Sequence, residues 1–185
     1  MKIRNLSKSF GDNLIFNNAS FDFEDGKTTY VMGKSGIGKT TLLRIIAGLD
    51  KSFAGEIESS KKVAYVFQEA RLFPTLTLKE NIEIVNDTPK IHIDTILKIL
   101  ELEEASQMFP DELSGGMKIR ASLGRAIYFD ADVVLMDEPF ASIDEDMKDR
   151  ISSKVFELLK DKTVIIVSHD TQNANKFADK IITIK

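Results

Sequence analysis

Eight consecutive residues, Gly33-Lys34-Ser35-Gly36-Ile37-Gly38-Lys39-Thr40, followed by Thr41, carry the densest chemistry in the chain. They fit the pattern G-x-x-x-x-G-K-[ST]. Its glycines let the backbone wrap until successive N–H groups point at β- and γ-phosphate oxygens, and a helix opening there adds its positive end. Lys39 would neutralise phosphate charge, and the Thr40 hydroxyl would ligate Mg²⁺. A second segment, Val133-Val134-Leu135-Met136-Asp137-Glu138, is an apolar run ending in two carboxylates. Asp137 suits the water shell of Mg²⁺, and Glu138 suits the polarising of a water for in-line attack on a γ-phosphate. The bland alternatives are a Gly-rich turn with a solvated lysine, which the strand and helix flanking the loop disfavour, and an ordinary strand end. Together in one chain the two segments imply nucleoside triphosphate hydrolysis, and no more than that.

Leu113-Ser114-Gly115-Gly116-Met117 narrows the reading. Ser114 can cap a helix running to about Ile127, and two glycines leave its first N–H groups open, which makes a second anion site. The segment resembles the signature L-S-G-G-Q of the ABC-type ATPases, and Arg120 and Arg125-Ala126 follow it where that family also has them. The resemblance then extends over essentially the whole chain. Gln68 matches the family's Q-loop glutamine, which senses Mg²⁺ and the γ-phosphate. Ser142-Ile143-Asp144 resembles the D-loop, so Asp144 joins the nucleotide-binding set. His169 matches the switch histidine that contacts the γ-phosphate, and Phe10 lies where the family stacks an aromatic ring on adenine. Catalytic roles are thus expected for Glu138, His169, Lys39 and Gln68, and metal contacts for Thr40, Gln68 and Asp137. His92 matches nothing and reads as a solvated loop residue.

The resemblance implies ATP and Mg²⁺ as cofactors and a head-to-tail pair of ATPase subunits. ATP held by Gly33–Thr41 of one copy would be closed by Ser114, Gly115 and Gly116 of the other. Met117 departs from the usual glutamine. A thioether makes no useful hydrogen bond, so one polar contact across the pair is lost, while the cap and the open amides remain.

These residues need a frame. Short β-branched runs alternate with helical patterns, which marks an α/β fold with a largely parallel sheet. The expected strands are Ile3–Leu6, Ser20–Phe23, Thr28–Met32, Val63–Phe67, Val133–Met136, Thr163–Val167 and Ile181–Ile184. Thr40–Ala47 reads as a helix closed by Gly48. Ile93, Ile96, Leu97 and Leu100 recur at helical spacing, predicting a helix over Asp94–Leu102, and Ile151, Val155 and Leu158 predict another behind Asp144-Glu145-Asp146. With the resemblance, the expected architecture is a P-loop NTPase core with an N-terminal antiparallel β portion. A small helical insert at about 72–127 would sit within a single domain, 1–185.

Composition bounds the rest. Hydrophobic residues make up 43%, charged residues 29%, and the net charge is −4. That balance suits a globular protein and argues against sequence-independent nucleic-acid binding, which needs a basic face. There is no cysteine, so disulfides and thiol catalysis are excluded. No apolar run approaches the roughly 18 residues that span a bilayer, and Met1-Lys2-Ile3-Arg4 begins no secretion signal. The expectation is a peripheral subunit at the cytoplasmic face of the membrane, attached through a transmembrane permease and working with a solute-binding protein. Few residues follow His169, so a C-terminal sensor domain is not expected. The segment Gln68 to Leu78 resembles prokaryotic importers of the nitrate and sulfonate type. Its apolar Leu72, Phe73, Leu76 and Leu78 around Pro74 are expected to form the permease groove. The competing reading is a soluble ABC-type ATPase acting on nucleic acid or ribosomes. The short stretch between Gln68 and Leu113 leaves no room for the coiled coil of the DNA-repair members, and a single set of motifs is unlike the ribosome-acting ones. A non-enzymatic nucleotide-binding module is disfavoured because Glu138 and His169 are both present.

Overall fold

Val133–Asp137 and Thr163–Val167 are buried at every position, as strands are when both faces of a parallel sheet are covered. The computed structural model describes residues 1–58 and 61–185. It places these two runs, β6 and β7, at the centre of a five-stranded parallel sheet ordered β5-β6-β7-β3-β8. Its other strands are β3 (Thr28–Met32), β5 (Val63–Val66) and β8 (Lys180–Thr183). A second, antiparallel sheet is ordered β2-β1-β4, from β1 (Lys2–Phe10), β2 (Asn13–Asp22) and β4 (Ala54–Glu58).

Alternation along the central strands divides the interior in two. Val134, Met136, Val164, Ile166 and Tyr30 face one apolar cluster, with the helices α2 (Leu78–Glu83), α3 (Ile93–Ile99), α4 (Gly115–Tyr128) and α5 (Glu145–Leu158). Val133, Leu135, Ile165, Val167 and Val31 face the other, packed on α1 (Lys39–Ile46) and the antiparallel sheet. The last helix, α6 (Thr171–Phe177), leads into β8.

Most expected elements are present, with shifted ends. The first two strands are longer than expected. The helix expected over Asp94–Leu102 ends at Ile99 because Glu101 turns into the left-handed region (φ 53°), which closes the helix while Leu100 and Leu102 stay in the core. His92 is its N-cap, with Nδ1 accepting from the Asp94 N–H at 3.4 Å. Among the described residues, β4, α2 and α6 were not anticipated individually. β4 has a single large apolar residue, Ile57, and so no readable alternation; Gly55 lets it lie against β1, since a Cβ there would be 2.7 Å from the Arg4 carbonyl oxygen. α2 opens on a capping box, Thr77 with Glu80, and α6 on Asp170, which accepts from the Asn173 N–H at 3.0 Å.

α4 is tied to its surroundings by two arginines. Arg120, 6% exposed, donates to the carbonyls of Leu100 (2.7 Å) and Glu101 (2.8 Å) at the end of α3. Arg125 donates to the Arg71 carbonyl at 2.7 Å. The segment after Gln68 is therefore fastened to α4 by a hydrogen bond from a charged group, worth about 1.5–3 kcal/mol. The apolar run in that segment is not one exposed cluster. Leu78 is fully buried and Leu72 packs on the same core, because the run crosses into α2 at the Thr77 cap. Phe73 alone among the four is strongly exposed, at 50%. Its backbone is fixed by the buried Asn81 amide, which accepts from the Phe73 N–H at 2.7 Å and donates to its carbonyl at 3.0 Å.

Candidate functional site

The Gly-rich loop joins β3 to α1, and α1 begins at Lys39. Its N-cap, Gly38, has φ 107° and lies against β2, where a Cβ would collide with Ile15 and Phe16. Any L side chain at Gly38 would be both strained and obstructed. Lys39 is 6% exposed, and its Nζ donates to the Gly33 and Lys34 carbonyls at 2.9 Å each. The same ammonium lies 3.4 Å from His169 Nε2.

The C-terminal end of β6 brings the two carboxylates to this loop. Asp137, the last residue of β6, is 3% exposed. Burial raises its pKa above the ordinary 3.8, and the charge of Glu138 adds to the rise. Glu138 holds φ 49°, an unusual backbone for a non-glycine residue. Its N–H donates to the Val167 carbonyl at 2.9 Å, which anchors the turn to β7. Oε2 accepts from Ser168 Oγ at 3.0 Å and from the His169 N–H at 3.4 Å, and Oε1 lies 3.6 Å from His169 Nε2. Glu138, expected to polarise a water, and His169, expected to contact the γ-phosphate, therefore sit side by side.

A cavity of about 630 Å³ collects these groups. Ser35, Gly36, Gly38, Lys39, Thr40, Thr41, Gln68, Asp137, Glu138, His169 and Phe10 all line it. Gly33, Lys34 and Ile37 build the loop but do not line the cavity. Ser114, Gly115, Gly116 and Asp144 do not line it either. Ser114 and Gly115 are exposed at the start of α4, where Ser114 Oγ accepts from the Met117 N–H at 3.2 Å. Asp144 is the exposed N-cap of α5, accepting from the Met147 N–H at 3.0 Å. The two segments adjoin, since a Cβ on Gly116 would lie 2.9 Å from the Ser142 carbonyl oxygen. Met117 packs its side chain against the core.

Two residues of the site carried no sequence signal. Ser168 is a hydroxyl beside a histidine, and only the return of β7 next to β6 puts it on Glu138. Tyr65 reads as a strand aromatic, yet its hydroxyl donates to Asp137 Oδ2 at 3.5 Å, and burial raises its pKa.

The residues present fit a hydrated divalent cation that arrives with phosphates. Among the described residues no group of three or more His, Cys, Asp or Glu forms a self-sufficient metal cage. Mg²⁺ takes one or two carboxylates and completes its octahedron with water and phosphate oxygens, and Asp137 with Thr40 supplies that minimum. The raised pKa of Asp137 sets the sign of its effect on stability. An acid whose folded pKa is raised binds more protons folded than unfolded, so its cost to stability is absent below the unfolded value and grows as pH rises. Asp137→Asn should therefore melt higher than the parent at neutral pH without nucleotide, by about 2–4 °C for each ~1 kcal/mol of cost relieved. Its affinity for Mg²⁺ with nucleotide should fall at the same time. Thermal melts beside Mg²⁺-dependent nucleotide titration check both.

Comparison with known proteins agrees with this geometry. The family described as ABC transporter matches residues 16–141. An Fe(3+) ions import ATP-binding protein of Fusobacterium nucleatum subsp. nucleatum is 34% identical over 205 residues, covering 100% of this chain and 55% of that protein. An aliphatic sulfonates import ATP-binding protein of Bacillus cereus is 36% identical over 191 residues, covering 96% of this chain and 76% of that protein. The chain thus spans little more than half the length of the first of these relatives. The dimeric structure of the ATP-binding cassette MJ0796, in a post-hydrolysis state bound to ADP and Pi, matches with a TM-score of 0.85 at 28% identity, covering 100% of this chain and 94% of that one. The fold is that of this group of proteins, and the chain belongs to the ABC transporter family, among its ATP-binding proteins.

Proposed function

We propose that this chain is the ATP-hydrolysing motor subunit of an ABC importer. The observation that carries the reading is the convergence of Lys39, Thr40, Gln68, Asp137, Glu138 and His169 on one cavity beside the Gly-rich loop. Loop N–H groups and Lys39 hold the β- and γ-phosphates, and Phe10 stacks on adenine. Bound Mg²⁺, held by Thr40, Asp137 and Gln68, would supply charge neutralisation at the phosphates. Glu138 orients a water and takes up its proton as the water oxygen attacks the γ-phosphorus, and ADP leaves with the bridging oxygen. His169, beside both Glu138 and Lys39, is placed to follow the γ-phosphate. Ser114, Gly115, Gly116 and Asp144 do not line this cavity, which supports their acting on the nucleotide of a second copy. ATP closes the pair and hydrolysis reopens it, the two-state motion passed to a permease. A solute-binding protein completes the importer and selects cargo with the permease. Nucleic acid is not a partner in this reading.

Among the described residues no helix is long and apolar enough to cross a membrane, so work on a membrane requires a docking residue. Phe73 serves as that contact: a half-exposed aromatic on a backbone pinned by Asn81, on the segment that begins at Gln68 and is fastened to α4 by Arg125. The purified chain should release phosphate from MgATP. Phe73→Asp should leave that basal rate near the parent's while weakening permease co-purification in detergent by on the order of tenfold or more, the effect of losing an aromatic anchor. Normal permease binding by the variant would place docking elsewhere, and no phosphate release by the parent would overturn the motor reading itself.

A further inference from the structure

Lys8 is a lysine where the fold has no ordinary use for one. It sits on β1, 5% exposed, and does not line the cavity. A buried ammonium must be paired and hydrogen-bonded to persist. Its Nζ lies 2.9 and 2.8 Å from the two carboxylate oxygens of Asp50 and donates to the Ser52 carbonyl at 2.6 Å. The pairing holds the Asp50 carboxyl below its ordinary pKa. Asp50 belongs to the chain leaving α1: its N–H donates to the Arg44 carbonyl at 3.1 Å, and its Oδ1 accepts from the Ser52 N–H at 3.0 Å. The fourth neighbour is the Phe10 ring, whose centroid is 4.5 Å from Nζ. Phe10 is 53% exposed and lines the nucleotide cavity. Lys8 is thus buried and outside the cavity, while the ring it touches is half-exposed and lines it.

We propose that Lys8 is a positioning and specificity residue for the nucleotide base: its fixed ammonium holds the Phe10 ring into the cavity and draws electron density from it, so that the open face stacks an electron-rich purine. The proposal rests on the reading of Phe10 as the base platform and adds what sets that platform. Two effects act together. A ring held by a desolvated cation loses less freedom on stacking than one free at the end of a hairpin. Polarisation by the cation also favours a purine over a smaller, poorer π-system. The arrangement links both ends of the nucleotide to one helix. The start of α1 receives the phosphates, and the chain leaving α1 anchors the cation behind the base.

The experiment separates base from phosphate. Calorimetric affinities of the full chain for MgATP, MgUTP and inorganic magnesium tripolyphosphate give the ATP/tripolyphosphate ratio, which reports the nucleoside, and the ATP/UTP ratio, which reports the base. Phe10→Ala should lower both ratios and leave tripolyphosphate binding unchanged. Lys8→Met should also lower both, the first by roughly tenfold, the value of a desolvated cation over a ring, again with tripolyphosphate binding unchanged. Lys8→Arg, which returns a cation both to the ring and to Asp50, should restore most of the loss. If Lys8→Met fails to fold, Lys8→Gln decides, since it keeps hydrogen bonding to Asp50 and Ser52 without the charge. Unchanged ratios in a folded Met or Gln variant, with Phe10→Ala still lowering them, would overturn the role of Lys8 and spare that of Phe10. Unchanged ratios in Phe10→Ala would overturn the platform reading and this proposal with it.

Discussion

Glu138→Gln should reduce ATP hydrolysis by roughly 10²-fold or more while leaving ATP binding intact, the effect of removing a general base. The substitution keeps the size of the side chain, and the amide oxygen can still accept from Ser168 Oγ, now 3.0 Å from Oε2. What it removes is the negative charge that orients water and accepts its proton. The backbone at Glu138, held in the left-handed region with its N–H on the Val167 carbonyl, is indifferent to the exchange of acid for amide. The variant should therefore fold normally, bind MgATP, and accumulate as an ATP-dependent dimer on gel filtration, because closure precedes hydrolysis and reopening needs it. Turnover near that of the parent would remove Glu138 from the role of base and leave His169, at 3.6 Å from it, as the group to test next.

The parts of this site legible in the sequence share a physical cause. Phosphate binding needs consecutive backbone N–H groups, so Gly33 to Thr41 is local and reads as a string. Asp137 and Glu138 likewise follow directly from a buried strand that must end at the phosphates. β3 and β7 have the ends expected of them because β-branched residues fill Thr163–Val167 and open Thr28–Met32, each directly behind a lysine. Ser168 and Tyr65 were illegible because their partners are brought by sheet pairing, β7 beside β6 and β5 beside β6, over long sequence separations. β4 was missed because Ala54–Glu58 is nearly all exposed on a sheet edge, so no periodicity records it. Leu78 was misread for a different reason. Thr77 and Glu80 spell a capping box, and a helix beginning there turns Leu78 inward, but Pro74 drew attention to a loop. Local signals were sufficient in that case, and the cap outweighed the proline because it lies between the proline and the leucine.

Lys39→Ala and Ser114→Arg should each abolish ATPase activity alone and regain part of it when mixed. Lys39 lies at the cavity, buried, with its ammonium at the mouth of the loop, so its removal should abolish nucleotide binding by the isolated chain. Ser114 lies outside that cavity, exposed at the start of α4. Arginine there should leave nucleotide binding by the isolated chain intact and block closure by its bulk. It also removes the hydroxyl that accepts from the Met117 N–H, a cap worth about 0.5–2 kcal/mol, and Ser114→Ala measures that loss by itself. A mixed pair contains one intact loop, from the Ser114→Arg chain, facing one intact signature segment, from the Lys39→Ala chain. Its other half joins two damaged surfaces. Mixing should thus restore at most one working composite site per dimer, and ATPase activity should follow the fraction of mixed pairs as the ratio of the two chains is varied. Cis action predicts the opposite pattern: two dead sites in every pair at any ratio. If Ser114→Arg removed nucleotide binding from the isolated chain, Ser114 would belong to its own cavity after all, and the exposed start of α4 would be a helix cap and nothing more.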